Sequence, residues 1–406
     1  MTQTAASAGP MTDRTVVLGY ARTPFVRFAG AFAGIPAVRL GARAAEAAME
    51  RAGISPEDVD VVVAGQVLQA GAGQNPARQT AVAAGVPMTR PALTLNAVCL
   101  SGLEAVTEAH RRIALGEADV VLVVGQESMT EAPRLLGGSR SGAKYGGVQL
   151  VDSTEFDGLT DAFERQSMGA STEQFAAERG IGREEQDAWA LRSHQLASAS
   201  RESFSHEIVP VEVQRGRETA LVRADDGIRD DASAESLAKL RPSFSPTGTI
   251  TAGNASPLTD GAAALVVARE SWARDHGLTP LCIVRSTALV AGPDVSLLSR
   301  PAEAIALAAK RAGVEPSEFA VIEINEAFAA VAVQSVGELG VEADRVNRDG
   351  GAIALGHPIG ASGARIVGHL ALVLAESPAG TLAAAGICGG GGQGSAMVLE
   401  AWAPQS

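Results

Sequence analysis

Four short stretches hold residue types that can do chemistry. In LNAVCLSG (Leu95–Gly102), Cys99 stands between a strand-like run and a helical pattern through Leu103, Val106, His110 and Ile113. A thiol at a helix N-terminus meets backbone N–H groups and the positive end of the helix dipole, which lower its pKa and supply thiolate. Alone, the stretch fits an inert buried cysteine better. In NRDGGAIALGHPIGASGAR (Asn347–Arg365), glycines crowd round His357, and Pro358 fixes the backbone after it. Glycine lets backbone approach a ligand, and an imidazole held there can act as a base near neutral pH. In AAAGICGGGGQG (Ala383–Gly394), Cys388 opens onto four glycines whose N–H groups could line an oxyanion hole or merely form a turn. In EINEAFAA (Glu323–Ala330), Asn325 and Glu326 follow an apolar strand directly, where α/β folds face ligands. Asn325 could orient a water or a histidine there, or simply cap a helix.

Other patterns are excluded. Gly351 and Gly356 have phosphate-loop spacing, but His357-Pro358 occupies the Lys-Ser/Thr positions. GAGQNP from Gly71 has Pro76 where a dinucleotide fingerprint needs its third glycine. Cys282 lies in the apolar run PLCIVRS and reads as core. His110 and His369 fall inside helical patterns, and His194, His206 and His276 sit in polar surroundings; all five read as structural. The cysteines at 99, 282 and 388 offer neither a disulfide framework nor zinc-ligand spacing, so no metal is expected and a reducing, cytoplasmic setting fits.

Positioning such groups takes a sizeable scaffold. A chain of 406 residues exceeds one ordinary core, and 46% hydrophobic residues can fill two or three. The net charge of -13 argues against a general nucleic-acid surface. No apolar run reaches the roughly 20 residues of a membrane span. The opening MTQTAASAGPMTDR lacks the basic start and apolar core of a signal peptide and reads as a polar tail.

Short β-branched runs alternate with Ala-rich helical patterns. Val59–Ala64, Val120–Val124 and Val321–Ile324 read as buried strands, and Arg39–Ala52, Gly102–Leu115, Pro301–Ala312 and Gly363–Ala375 as helices. This is the pattern of α/β sheets covered on both faces. ERAGISPEDVDVVVAG (Glu50–Gly65) matches KRAGVEPSEFAVIEIN (Lys310–Asn325) at a constant offset, helix to Ala-Gly to Pro turn to strand. A looser pair relates the strand–Cys99–helix–strand unit (Leu93–Gly125) to Val346 through His357 and the Gly363 helix to Cys388. The chain therefore reads as two related halves. The first is residues 1–128, completed by 259–280; the second is 281–406. Residues 129–258, richer in Gly, Ser and charge, read as an inserted loop domain with a helix near Arg183–Arg201.

Together these stretches resemble the thiolase family, specifically acetyl-CoA acetyltransferases, from Thr15 to Glu400. The likeness rests on Asn96-x-x-Cys99-x-Ser101-Gly102, Gly125-x-Glu127-Ser128-Met129, Asn325-Glu326-Ala327-Phe328, Gly356-His357-Pro358 and Cys388-Gly389-Gly390, in that order. GQVLQAGAGQNPARQ (Gly65–Gln79) and LRPSFSPTGTITAGNASPLTDGAA (Leu240–Ala263) also match. The resemblance implies an α/β fold of two duplicated βαβαβαββ halves in a five-layered α-β-α-β-α sandwich, with the loop domain inserted in the first. It also implies a homodimer or homotetramer and a place in fatty acid metabolism.

The resemblance implies that Cys99 accepts the acyl group and that His357 deprotonates it and later helps bind the thioester oxygen. Cys388 would take an α-proton from the second acetyl-CoA. Asn325 would hold a water that forms one oxyanion hole with His357; the N–H groups of Cys99 and Gly390 would form the other. Met168, Arg229, Ser236, Leu237, Phe244, Ala252, Ser256, Ala327 and Phe328 match positions lining the coenzyme A groove. The partners implied are acetyl-CoA, acetoacetyl-CoA and free coenzyme A, substrates rather than resident cofactors, with neither nucleic acid nor membrane. Ser167 departs from the His of many short-chain members, leaving room for a degradative 3-ketoacyl-CoA thiolase of broader range; Pro257 replaces a common Gly. A ketoacyl synthase would use one cysteine with two histidines. A Cys-His-Asn hydrolase would have no use for Cys388. A silent coenzyme A-binding protein would have lost a catalytic position, and none is lost here.

Overall fold

The computed structural model describes residues 13–142 and 145–404. The first twelve residues of the expected polar tail lie outside the described residues, as do the outer limits of the two expected halves. The main strands are β1 Thr15–Arg22, β2 Val61–Gly65, β3 Ala92–Leu95, β4 Val120–Glu127, β5 Thr259–Arg269, β6 Cys282–Ala291, β7 Val321–Ile324, β8 Leu382–Gly389 and β9 Gln393–Ala401. They line up in the order β7-β8-β9-β6-β1-β5-β4-β2-β3, and a two-residue strand, Val26–Arg27, pairs with β5 off this path.

The order is two copies of one pattern. In the first, β3, β2 and β4 are parallel, and β5 and then β1 follow antiparallel. In the second, a parallel bridge at Val346, then β7 and β8, are parallel, and β9 and β6 follow antiparallel. The copies meet where β1 pairs with β6, from Thr15 opposite Val284 to Val17 opposite Cys282. The repeat seen in sequence is local chemistry used twice. Helices α1 (Ala37–Ala52) and α6 (Arg300–Ala312) stop at Gly53 and Gly313, at φ 71° and 74°, where glycine carries no steric penalty. A Pro-led turn with a reciprocal cap follows each, Ser55 with Asp58 and Glu315 with Glu318.

Strand alternation separates the layers. On β5, Ala262, Ala264 and Val266 enter an outer core with α1 and α2 (Pro76–Ala83), while Ala263, Leu265 and Val267 enter a central core. That central core holds α3 (Ser101–Ala114) and α8 (Ser362–Ala375), one from each copy. On β8, Ala383, Ala385 and Ile387 close it from the other side, while Ala384 faces a third core with α6 and α7 (Ala329–Leu339). This is the five-layered α-β-α-β-α sandwich that the resemblance implied.

Residues 129–258 carry α4 (Met168–Arg179), α5 (Arg183–Ala199), a short helix Arg201–Glu207 and a hairpin of Val211–Arg215 with Glu218–Val222. The helix expected to run to Arg201 stops at Ala199, and a second begins after Ser200. Trp189 and Ala190 of α5 pack into the third core, so this region also packs on the second copy. Among the described residues, no helix is long and apolar enough to cross a membrane.

Candidate active site

The nucleophile candidate sits on a pinned corner. After β3, Val98 adopts φ +53°, an unfavourable conformation for a β-branched residue. Polar contacts on both sides hold it there. Asn96 Oδ1 accepts the Val98 N–H at 2.9 Å, Ser101 Oγ accepts the Ala97 N–H at 2.9 Å, and Ser101 Oγ donates to the Val98 carbonyl at 2.6 Å. The corner puts Cys99 before the first turn of α3, whose cap is Leu100.

His357 arrives from the second copy. Gly356 adopts φ +109°, and a Cβ there would meet Thr259 Oγ1 at 2.5 Å, so only glycine fits. Thr259 Oγ1 accepts the His357 N–H at 3.2 Å and donates to the Pro257 carbonyl at 2.7 Å. His357 Nδ1 lies 2.6 Å from Ser362 Oγ and 3.4 Å from Asn325 Nδ2. Both His357 Nε2 and Asn325 Oδ1 are buried without a hydrogen-bond partner. Such orphaned groups cost roughly 1–3 kcal/mol each, which a bound substrate can relieve. Asn325 caps no helix, since Phe328 takes that place for α7.

Cys99, His357 and Cys388 line one cavity of about 220 Å³. Met129, Leu159, Leu297 and Ile359 give it apolar walls. The backbone N–H groups of Gly390 and of Cys99 itself act on the Cys99 sulfur in the direction that lowers its pKa. In the glycine run, Gly391 and Gly392, at φ 78° and 68°, turn the chain into β9, and the Gly390 backbone acts on the Cys99 thiol.

The expectation of a lowered Cys99 pKa is corrected. Cys99 is half-buried and lines the cavity, but burial pushes its thiol up to about 12, against the lowering effect of the Gly390 and Cys99 backbone. Burial likewise raises the thiol of Cys388, and the neighbouring Cys99 raises it further. Burial, then the charge of Arg365, lowers His357 to about 4. The resting site holds two thiols and a neutral imidazole.

The groove residues divide. Met168, Phe244, Ser256, Ala327 and Phe328 line the cavity with the reactive groups. Ser256 Oγ donates to the Ala327 carbonyl at 3.0 Å, and Phe244 meets Phe328 edge-on at 6.2 Å. Ser167 lines it too and caps α4, accepting the Ala170 N–H at 3.2 Å. Leu237 is buried in the third core with Trp189 and Ala190 of α5 and is not part of the cavity lining. Arg229, Ser236 and Ala252 are exposed and stand outside the cavity lining.

Three supporting residues lacked any assigned role in sequence. Glu127, buried at the end of β4, accepts the N–H groups of Val67, Leu68 and Gly360 at 3.0, 3.2 and 3.0 Å. Burial brings its carboxyl up to about 7 despite those bonds. Its motif marked it, but an acidic residue ending an apolar strand does not reveal its acceptors. Ser362, inside the glycine-rich stretch, contacts the histidine, and nothing in its local pattern sets it apart. Glu326 is fully buried and takes hydrogen bonds from Trp189, Ser193, Asn347 and Ile353, tying α5 to the loop after β7. The structural reading holds for Cys282, which is buried in the central core. His194 is buried rather than in polar surroundings and accepts the Arg229 N–H at 3.3 Å.

Comparison with known proteins covers almost the whole chain. The family profile described as thiolase, N-terminal domain, matches residues 15–271, and that for thiolase, C-terminal domain, residues 278–401. The chain is 50% identical to the "Probable acetyl-CoA acetyltransferase" of Mycobacterium leprae, over 96% of this chain and 100% of that protein. It is 48% identical to the "Acetyl-CoA acetyltransferase" of Chromobacterium violaceum, over 93% and 97%. It is 44% identical to the "Probable acetyl-CoA acyltransferase" of Staphylococcus aureus, over 95% and 99%.

Proposed function

This chain belongs to the thiolase family, and from that premise we propose that it condenses two acetyl-CoA to acetoacetyl-CoA and coenzyme A, or runs the reverse thiolysis. It is an acyltransferase acting on acetyl-CoA, as its relatives are named. The observation that carries the finer reading is one cavity lined by Cys99, His357 and Cys388.

In the proposed cycle the Cys99 proton passes to His357 as the sulfur attacks the thioester carbonyl. The N–H groups of Cys99 and Gly390 stabilise the developing oxyanion, and coenzyme A leaves with a proton. Cys388 then gives its thiol proton to the neutral His357, and the thiolate so formed takes an α-proton from the second acetyl-CoA. That carbon acid is far weaker than a thiol, so its enolate oxygen needs the hole formed by His357 and a water held by Asn325. The carbanion attacks the acyl-Cys99 carbonyl, the Cys99 sulfur leaves and takes the His357 proton, and acetoacetyl-CoA is freed. Two thiols suit two steps, and the closeness of Cys388 to Cys99 supports this division.

Met168, Phe244, Ser256, Ala327 and Phe328 are proposed to hold the pantetheine arm, with Arg229, Ser236 and Ala252 outside toward the nucleotide, and Leu237 is proposed to support the groove from the core. The division into 1–128 with 259–280, 129–258 and 281–406 is likewise a proposal, supported by the place of β5 between β1 and β4. So is a homodimer or homotetramer, which sedimentation reads directly.

The test is acetyl transfer from acetyl-CoA, read by intact mass. One acetyl adduct on Cys99 is expected, and Cys388→Ala should still acylate but lose condensation. Full turnover by Cys99→Ala would overturn the proposal. The degradative reading follows from Ser167, and comparing acetoacetyl-CoA with longer 3-ketoacyl-CoA substrates decides chain length.

A further inference from the structure

We propose that Ser362 is a positioning residue for His357, its hydroxyl accepting the Nδ1–H of the imidazolium formed when the Cys99 proton moves to Nε2. This rests on the acyl-transfer reading above. Ser362 is buried in the first turn of α8, five residues after the histidine. Its Oγ lies 2.6 Å from His357 Nδ1 and 3.1 Å from the Pro358 carbonyl oxygen. A hydroxyl has one hydrogen and two lone pairs. With the hydrogen turned to Pro358, a lone pair faces Nδ1. Since Ser362 and Asn325 flank Nδ1, Nε2 is the nitrogen left for the cavity, and it is buried without a partner.

The environment makes this acceptor matter. The titratable and charged groups around the ring are the thiols of Cys99 and Cys388 and the carboxylate of Glu155, which share its cavity, and the Arg365 guanidinium on α8. Of these, Arg365 acts on the charge of the ring and opposes it, and burial disfavours the charge further. Asn325 Nδ2 stands 3.4 Å from Nδ1, at the edge of hydrogen-bonding range. Ser362 Oγ is the close oxygen. In the step it supports, the Cys99 S–H bond breaks and a His357 Nε2–H bond forms. The sulfur bonds the acyl carbon, and the departing coenzyme A sulfur takes the Nε2 proton, returning the ring to neutral.

The experiment uses the full-length enzyme and reads two rates: kcat/KM for thiolysis of acetoacetyl-CoA, and alkylation of Cys99 by iodoacetamide at neutral pH. Ser362→Ala should lower both by roughly tenfold to a hundredfold, part of the 10²–10⁴ that acid–base catalysis contributes. Ser362→Cys keeps the volume with a weak acceptor and should show the same direction, so the result does not hang on one variant's packing. The discriminating arm is a double-mutant cycle. On a His357→Ala background, Ser362→Ala should change alkylation less than twofold, because its effect runs through the ring; a merely structural serine gives the full loss again. Near-wild-type rates in both Ser362 variants, or additive losses in the cycle, would overturn the proposal. If wild-type Cys99 takes up no acetyl group, it is the acyl-transfer reading that fails instead.

Discussion

The carboxylate of Glu127 accepts the amide N–H of Gly360 at 3.0 Å. The last residue of a strand in one copy thereby holds the backbone just past the histidine of the other. The same carboxylate holds Val67 and Leu68. Glu127→Ala leaves three buried N–H groups without that acceptor, at roughly 1–3 kcal/mol each before relaxation. We expect a stability loss of about 3 kcal/mol in urea unfolding. Thiolysis should fall more through kcat than through KM. An unchanged urea midpoint would contradict this account.

The resting site holds neutral groups. With Cys99 pushed up to about 12 and His357 brought down to about 4, neither carries charge near neutral pH. The ultraviolet difference spectrum between wild type and Cys99→Ser should show no thiolate band at about pH 7, emerging only at strongly alkaline pH. A full band at neutral pH would mean a preformed thiolate–imidazolium pair.

A buried ion cluster braces the layers away from the site. Burial would lower His369, but Asp349 at 3.1 Å and Glu207 at 3.5 Å raise it to about 10. Burial would raise Glu207, but Arg22, His369 and Arg365 hold it down to about 2. The raised histidine contributes stability fully present below about pH 6.5, its unfolded value, and lost as pH rises through about 10. The depressed carboxylate contributes stability present above about pH 4.5 and lost as pH falls through about 2. His369→Gln should therefore destabilise by about 3 kcal/mol at pH 6, the low end for breaking a buried pair. The gap should narrow on approaching pH 10. Urea unfolding of both proteins at the two pH values checks this, and a gap independent of pH would sink it.

Phe244 closes one side of the cavity. It is 40% exposed, meets Phe328 edge-on, and lies over Gly169, where any Cβ would strike its ring. Phe244→Ala should raise KM for acetoacetyl-CoA about tenfold, from the lost aromatic surface, with kcat changed less. Gly169→Ala should push the ring aside and move KM the same way. Steady-state kinetics on both variants decide the point.

Much of this was legible in the chain itself. The Gly53 and Gly313 helix stops, their capped Pro turns and the strands after them are set within a few residues, so the duplication and the layered class could be read directly. His357 and Cys388 stood out by their glycine-rich settings, a local property, whereas Cys99 and Asn325 read locally as a buried thiol or a cap and were marked by the order of the family motifs. Their meeting was not local. The cavity joins the corner after β3, the end of β8 and the loop before α8, and only chain topology brings these together. The groove residues show the same boundary, since Arg229, Ser236 and Ala252 match by sequence yet stand outside the cavity lining.

Tertiary structure also reversed one chemical expectation. A helix N-terminus is worth about 1 kcal/mol to an anion, under one pKa unit, whereas burial can shift a group by 3–5 units. Sequence shows the helix start but not the water that distant layers exclude, so it predicts a lowered thiol where the folded protein raises it. The roles of Glu127 and Ser362 were hidden for a related reason. A side chain's type is written in the chain, but its hydrogen-bond partner is chosen by whatever residue, far away in sequence, the fold sets within 3 Å of it.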